Sequence, residues 1–189
     1  GAERLLTAAA IHGDVKELRL IEDDSGQRLI FAKTAKRAVA PWQPDFTFFC
    51  PAHAEPWGPW RLTDGGMGGS EESVVYLAQE LAARGARVQV FAPLDDRHAG
   101  VHVEAGVRWY PLSTMDMLTR IPGVVIAQRA PGAVRAPCFD IARLCIWHQD
   151  AGYLAAWGWE PGIAKAVRHI FVSNWQRDAL LGSLGLRPD

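Results

Sequence analysis

At 189 residues with 49% hydrophobic side chains, the chain holds enough apolar material for one domain of ordinary size or slightly more. A formal net charge of -1, with lysines and arginines scattered along the chain, excludes the broad basic field that nucleic-acid backbones require. The longest apolar runs, such as GVVIA at 123–127, fall far short of the ~20 residues of a membrane helix, and no signal-peptide pattern opens the chain.

Three cysteines, Cys50, Cys138 and Cys145, form an odd number without metal-ligand spacing, which points to reduced thiols and a cytosolic setting, with a peripheral membrane contact left open. The chain opens Gly1-Ala2 instead of with methionine and is expected to be a piece of a longer protein.

Residues 3–12, ERLLTAAAIH, favour helix, and 15–32 alternates around an Asp-Asp-Ser-Gly turn as a hairpin does. This makes a small α+β unit over 1–40. APWQP at 40–44 reads as a linker, and a main domain is expected over 45–189. There, short apolar runs alternate with helical patterns, the signature of an α/β fold: a Rossmann-like parallel sheet with helices on both faces.

Strands are expected at FTFFC (46–50), RVQVFAP (87–93), VRWYPL (107–112), GVVIAQ (123–128), RLCIWHQD (143–150) and HIFVSN (169–174). Helices are expected at 70–85, 114–119, 160–167 and 174–184. In the first, Val74, Leu77, Ala78 and Leu81 share a stripe and Gly85 supplies the stop.

GGMGGSEE at 65–72 opens that first helix. Ser70 is a candidate N-cap, and Glu71 and Glu72 suit the positive end of the helix dipole, so the glycines exceed what the helix needs. Gly65, Gly66, Gly68 and Gly69 would let an anion's oxygens reach bare amides; the plainer reading is a tight strand-to-helix turn. The order G-G-M-G-G is not G-x-G-x-x-G, and a long loop separates it from FTFFC, which disfavours NAD. Without Gly-Lys-Ser/Thr there is no Walker loop.

GGMGGSEESVVYLAQELAARGARVQVFAP resembles the first βαβ unit of the retaining, nucleotide-sugar-dependent glycosyltransferases of GT-B fold, the glycogen synthase-like (family 4) group. Leu77, Leu81, Arg84, Gly85, Val88 and Val90 sit where that family's helix and second strand have matching residues, while Ala86 replaces a frequent His. LCIWHQD and HIFVSNWQRDALL look like the last strands and closing helix of the family's N-terminal half, so the likeness spans about 45–187. It implies the acceptor-side domain of an enzyme moving a sugar from a nucleotide-diphosphate donor to a hydroxyl acceptor. The donor-binding C-terminal domain is missing from this sequence, and the piece alone should be inactive.

The resemblance also implies site residues. The glycine loop would face the donor diphosphate. His148 in WHQD matches the family's strand-end histidine near the reacting sugar, and a strand's C-terminal end is where ligands sit in open α/β sheets. Asp150 would orient it or bind a hydroxyl; the plainer alternatives are a histidine satisfied by its neighbours and a turn-forming aspartate. Eight tryptophans are many for this length, and Trp57, Trp60, Trp157 and Trp159 are expected at the ligand-bearing edge as an acceptor platform, with core packing as the alternative. No Asp-x-Asp occurs, Asp95-Asp96 read as a solvated turn, and neither a metal nor a cofactor beyond the donor is expected. The rival function is a non-catalytic module that binds carbohydrate or protein through its tryptophan-rich edge.

Overall fold

Phe46–Phe49, a run of aromatic and β-branched residues, forms the strand around which most of the chain is arranged. The computed structural model describes residues 15–22, 28–34, 42–51, 55–95, 101–118, 120–150, 152 and 154–186. The chain divides into two units, Gly1–Trp42 and Gln43–Asp189. In the first, β1 (Val15–Glu22) pairs antiparallel with β2 (Arg28–Thr34), the expected hairpin. The helix expected at 3–12, the Asp-Asp-Ser-Gly turn and part of the linker lie outside the described residues.

The second unit runs β3 (Phe46–Phe49), α1 (Gly69–Ala83), β4 (Val88–Ala92), β5 (His102–Glu104), β6 (Val107–Pro111), β7 (Val124–Gln128), β8 (Leu144–His148), α2 (Pro161–Ala166), β9 (Arg168–Phe171) and α3 (Asn174–Gly182). Its seven strands lie in the order β5-β6-β4-β3-β7-β8-β9, all parallel except β5. Counted along the parallel strands, that is third, second, first, fourth, fifth, sixth, the order of a doubly wound Rossmann sheet whose direction of winding reverses between β3 and β7.

Both faces of the sheet are buried, which is why its central strands read as continuous apolar runs. On one face Phe48, Val88, Val90, Trp109 and Ile126 meet Val74, Val75 and Ala78 of α1. On the other, Phe91, Val125, Leu144 and Ile146 are covered by Trp159, Ala164 of α2 and Leu180 of α3. Burial pushes the thiols of Cys50, Cys138 and Cys145 up, so none is a ready thiolate.

Local chemistry sets the element ends. α1 closes in a Schellman motif: Gly85 at φ +89 donates to Ala82 O and Ala86 to Leu81 O. Asp45 holds Arg87 through Oδ1 at 2.7 Å and Oδ2 at 3.1 Å, pinning the starts of β3 and β4 together. That guanidinium lowers the Asp45 carboxyl to about 2. At the entry to β7, Gly123 at φ +81 passes so close to β3 that a Cβ would lie 2.5 Å from Pro44 O.

Two expectations need correction. The segment expected as a helix at 114–119 is a 3-10 helix, Leu112–Met117. β5 was not expected at all: it is three residues long, turned into β6 by Ala105 and Gly106 at φ 49 and 78, the two positive angles of a type I′ turn.

Candidate functional site

In open α/β sheets, ligands bind beyond the carboxyl ends of the strands where the winding reverses. Here that edge is built from the start of α1, the residues after β7 and the residues after β8. Gln128, the last residue of β7, is fully buried and donates from Nε2 to Ser70 O at 2.8 Å and to Gln149 Oε1 at 2.8 Å. It fixes the first turn of α1 against both strand ends.

The glycine loop divides by position. Ser70 lies inside α1; the N-cap is Gly68, which has no side chain to offer. Gly65 and Gly66 occupy the left-handed region at φ +138 and +79, and Gly66 N–H donates to Arg61 O at 3.0 Å. A Cβ at Gly68 would collide with the Glu71 carboxylate, which folds back over the helix start like the acidic half of a capping box. At Gly69 a Cβ would meet open space. Two of the four glycines therefore have a backbone reason internal to the chain, Gly68 meets only a movable carboxylate, and Gly69 has open space and no positive φ.

Next to this turn stands a residue that the sequence reading passed over. Arg129, directly after β7, has φ 52, uncommon for a side chain of its size. Its Nε donates to Asp150 Oδ2 at 2.8 Å, and Nη1 lies 3.8 Å from Glu71 Oε1. It thus links the start of α1 to the segment after β8. A signal was present, because the placement rule that singled out His148 at the end of β8 applies equally to the polar residues ending β7.

His148 closes β8 and is 6% exposed. Its ring does not meet Asp150, whose carboxylate is held by Arg129; that corrects the expected pairing. The partner is His169 of β9: His148 Nε2 and His169 Nδ1 are 2.9 Å apart, and His169 Nε2 lies 2.8 Å from Ala164 O. Phe171 runs parallel to both rings within 12°. Burial first, then the neighbouring His169, lowers the His148 pKa to about 4, and burial lowers that of His169 as well. Both rings are neutral at neutral pH.

His148 and Asp150 line a pocket of about 100 Å³ whose walls also include Arg129, Gln149, Leu154 and Trp157. Gln176 anchors one side: it is 3% exposed, accepts from Val172 N–H at 3.0 Å and donates to Asp150 O at 3.0 Å, while Ser173 caps α3 by accepting from Gln176 N–H.

The tryptophans separate. Trp57, 3% exposed, packs edge-on against Trp109 in the core under α1. Trp159, 4% exposed, donates to Pro131 O in the opposite core. Neither presents a face to a ligand, which corrects their place in the acceptor platform. Trp60 is half-buried and edge-on to His102, away from the pocket. Trp157, 53% exposed, is the one of the four at the pocket.

Comparison of the chain with protein-family models, with curated proteins and with solved structures returns no match. Among the described residues, no helix is long and apolar enough to cross a membrane.

Proposed function

We propose that residues 43–189 form the acceptor-side half of a glycosyltransferase that moves a sugar from a nucleotide-diphosphate donor to a hydroxyl acceptor, with the donor half supplied by a second domain. The observation that carries this reading is the convergence of three groups at the reversal of the sheet: the start of α1, whose N-cap Gly68 brings no side chain of its own, the Arg129 guanidinium and the buried, neutral His148. The likeness of residues 65–93 to the first βαβ unit of GT-B transferases supports it.

In this reading the helix start and Arg129 stabilise charge developing on the leaving diphosphate, and the pocket at His148 and Asp150 holds hydroxyls near the reacting carbon. Glu71 lies where the phosphate would arrive, so it swings off the helix start as Arg129 exchanges a carboxylate for a phosphate.

The test is titration of the ¹⁵N-labelled chain with UDP, GDP and ADP. One of the three is expected to shift the amides of Gly68, Gly69 and Ser70 together with Arg129 Nε; no shift from any of them overturns the phosphate seat. The exposed Trp157 beside the pocket favours the rival, a non-catalytic carbohydrate-binding module. A saccharide that perturbs the Trp157 indole while all three nucleotides leave the glycine amides unmoved would select that module.

A further inference from the structure

The two histidines at the end of the sheet form a one-way relay. A carbonyl oxygen can only accept, so the 2.8 Å contact between His169 Nε2 and Ala164 O places a proton on that Nε2. A neutral imidazole carries one N–H, so His169 Nδ1 is a lone pair. His148 Nε2, 2.9 Å away, must then be the donor. The ring planes lie within 14° of each other, and the centroids are 5.2 Å apart, about as far as a 2.9 Å nitrogen–nitrogen contact permits. The hydrogen bond therefore runs in the plane of both rings, along the direction of an sp² lone pair.

From this geometry we infer that His169 is a positioning residue: it fixes His148 as the Nε2–H tautomer, turns the Nδ1 lone pair to the pocket, and so dedicates the pocket to a ligand group that donates hydrogen bonds, a polyol hydroxyl, over a phosphate. His148 is more than nine-tenths buried and lines the pocket, and of its two ring nitrogens Nε2 is the one engaged by His169. The second acceptor facing the same space is the Asp150 carboxylate, of which Arg129 engages Oδ2. Two acceptors side by side repel an anionic oxygen and match the O–H groups of a sugar edge. Arg129 also lines the pocket, but its Nε is committed to Asp150 Oδ2 and its Nη1 faces Glu71 Oε1 at 3.8 Å. Lowered pKa values in both rings keep the relay uncharged at neutral pH.

The inference rests on this pocket being the ligand site and is independent of sugar transfer, so its failure and that of the transferase reading can be told apart. Long-range ¹H–¹⁵N spectra of the imidazoles at pH 7 are expected to show both histidines solely as Nε2–H. A His148 signal from the Nδ1–H form, or an exchange average of the two tautomers, overturns the relay. In His169→Gln the side-chain oxygen can accept from His148 and should preserve the tautomer, whereas His169→Phe should release it to a mixture; a purely structural role for His169 would leave the tautomer of folded His169→Phe unchanged. In the unmodified chain, glycerol or D-glucose is expected to shift His148 Nδ1, and inorganic phosphate at the same concentration to leave it in place. The reverse pattern, or no response to either polyol, overturns the ligand assignment.

Discussion

Single residues here are constrained by backbone angle and by proton position. Gly66 and Gly69 look alike in the string GGMGG, yet one sits at φ +79 and the other beside open space at an ordinary helical start. Gly66→Ala is therefore expected to lower stability by roughly 1–2 kcal/mol, the cost of forcing a Cβ into the left-handed region, and Gly66→Val by more. Gly69→Ala should be neutral or slightly stabilising. Urea unfolding of the pair reads this directly; equal losses would show that the loop conformation is not the one described.

His148 gives the chain an acid sensitivity. Its folded pKa of about 4 lies below the ordinary value of 6.5, so between those pH values the unfolded chain holds a proton that the native one lacks. Stability contributed by the neutral ring is complete above pH 6.5 and is lost as pH falls toward 4, by up to about 3 kcal/mol for a shift of this size. Melting temperature followed from pH 7 to 4 should fall, and His148→Phe should flatten that fall. An unchanged slope in His148→Phe would locate the acid sensitivity elsewhere.

Among elements, α3 meets the site through Leu180 in the pocket wall and is hydrogen-bonded to it through Gln176. Gln176 satisfies Val172 N–H and Asp150 O while it is itself buried at the start of the helix. Gln176→Ala leaves two backbone groups without their partner and is expected to cost about 1–3 kcal/mol. It should also move the amides of Asp150 and Gly152 more than those of α1; a perturbation confined to α3 would mean the cap does not position the pocket. The sheet has its own sensitive contact at Gly123, where a Cβ would strike the Pro44 and Asp45 backbone leading into β3 and the φ of +81 favours glycine. For Gly123→Ala a drop well above that of Gly66→Ala is expected, measured by the same denaturant midpoint, because both angle and space oppose it.

For the whole molecule, the chain separates into a unit ending at Trp42 and one beginning at Gln43. A chain starting at Gln43 should therefore keep a cooperative thermal transition and the amide spectrum of the larger unit. A poorly dispersed spectrum would show that the hairpin is needed for folding.

Local pattern alone determined a good deal of this protein. Apolar runs bounded by turn residues marked six of the seven sheet strands, and 3.6-residue periodicity with Gly85 marked α1 and its end. β5 escaped because three residues with His and Glu at both ends carry no apolar signature. What only the tertiary structure decided are partnerships across the sheet. Gln128 reaches Ser70, Arg129 takes Asp150 from His148, His148 finds His169, and Trp57 and Trp159 turn inward. The reason is physical: periodicity records how a segment meets its own backbone and one apolar surface, and the same strings fit several strand orders. The order β6-β4-β3-β7-β8-β9, set by packing both faces at once, chooses which strand ends become neighbours and so which polar groups can meet.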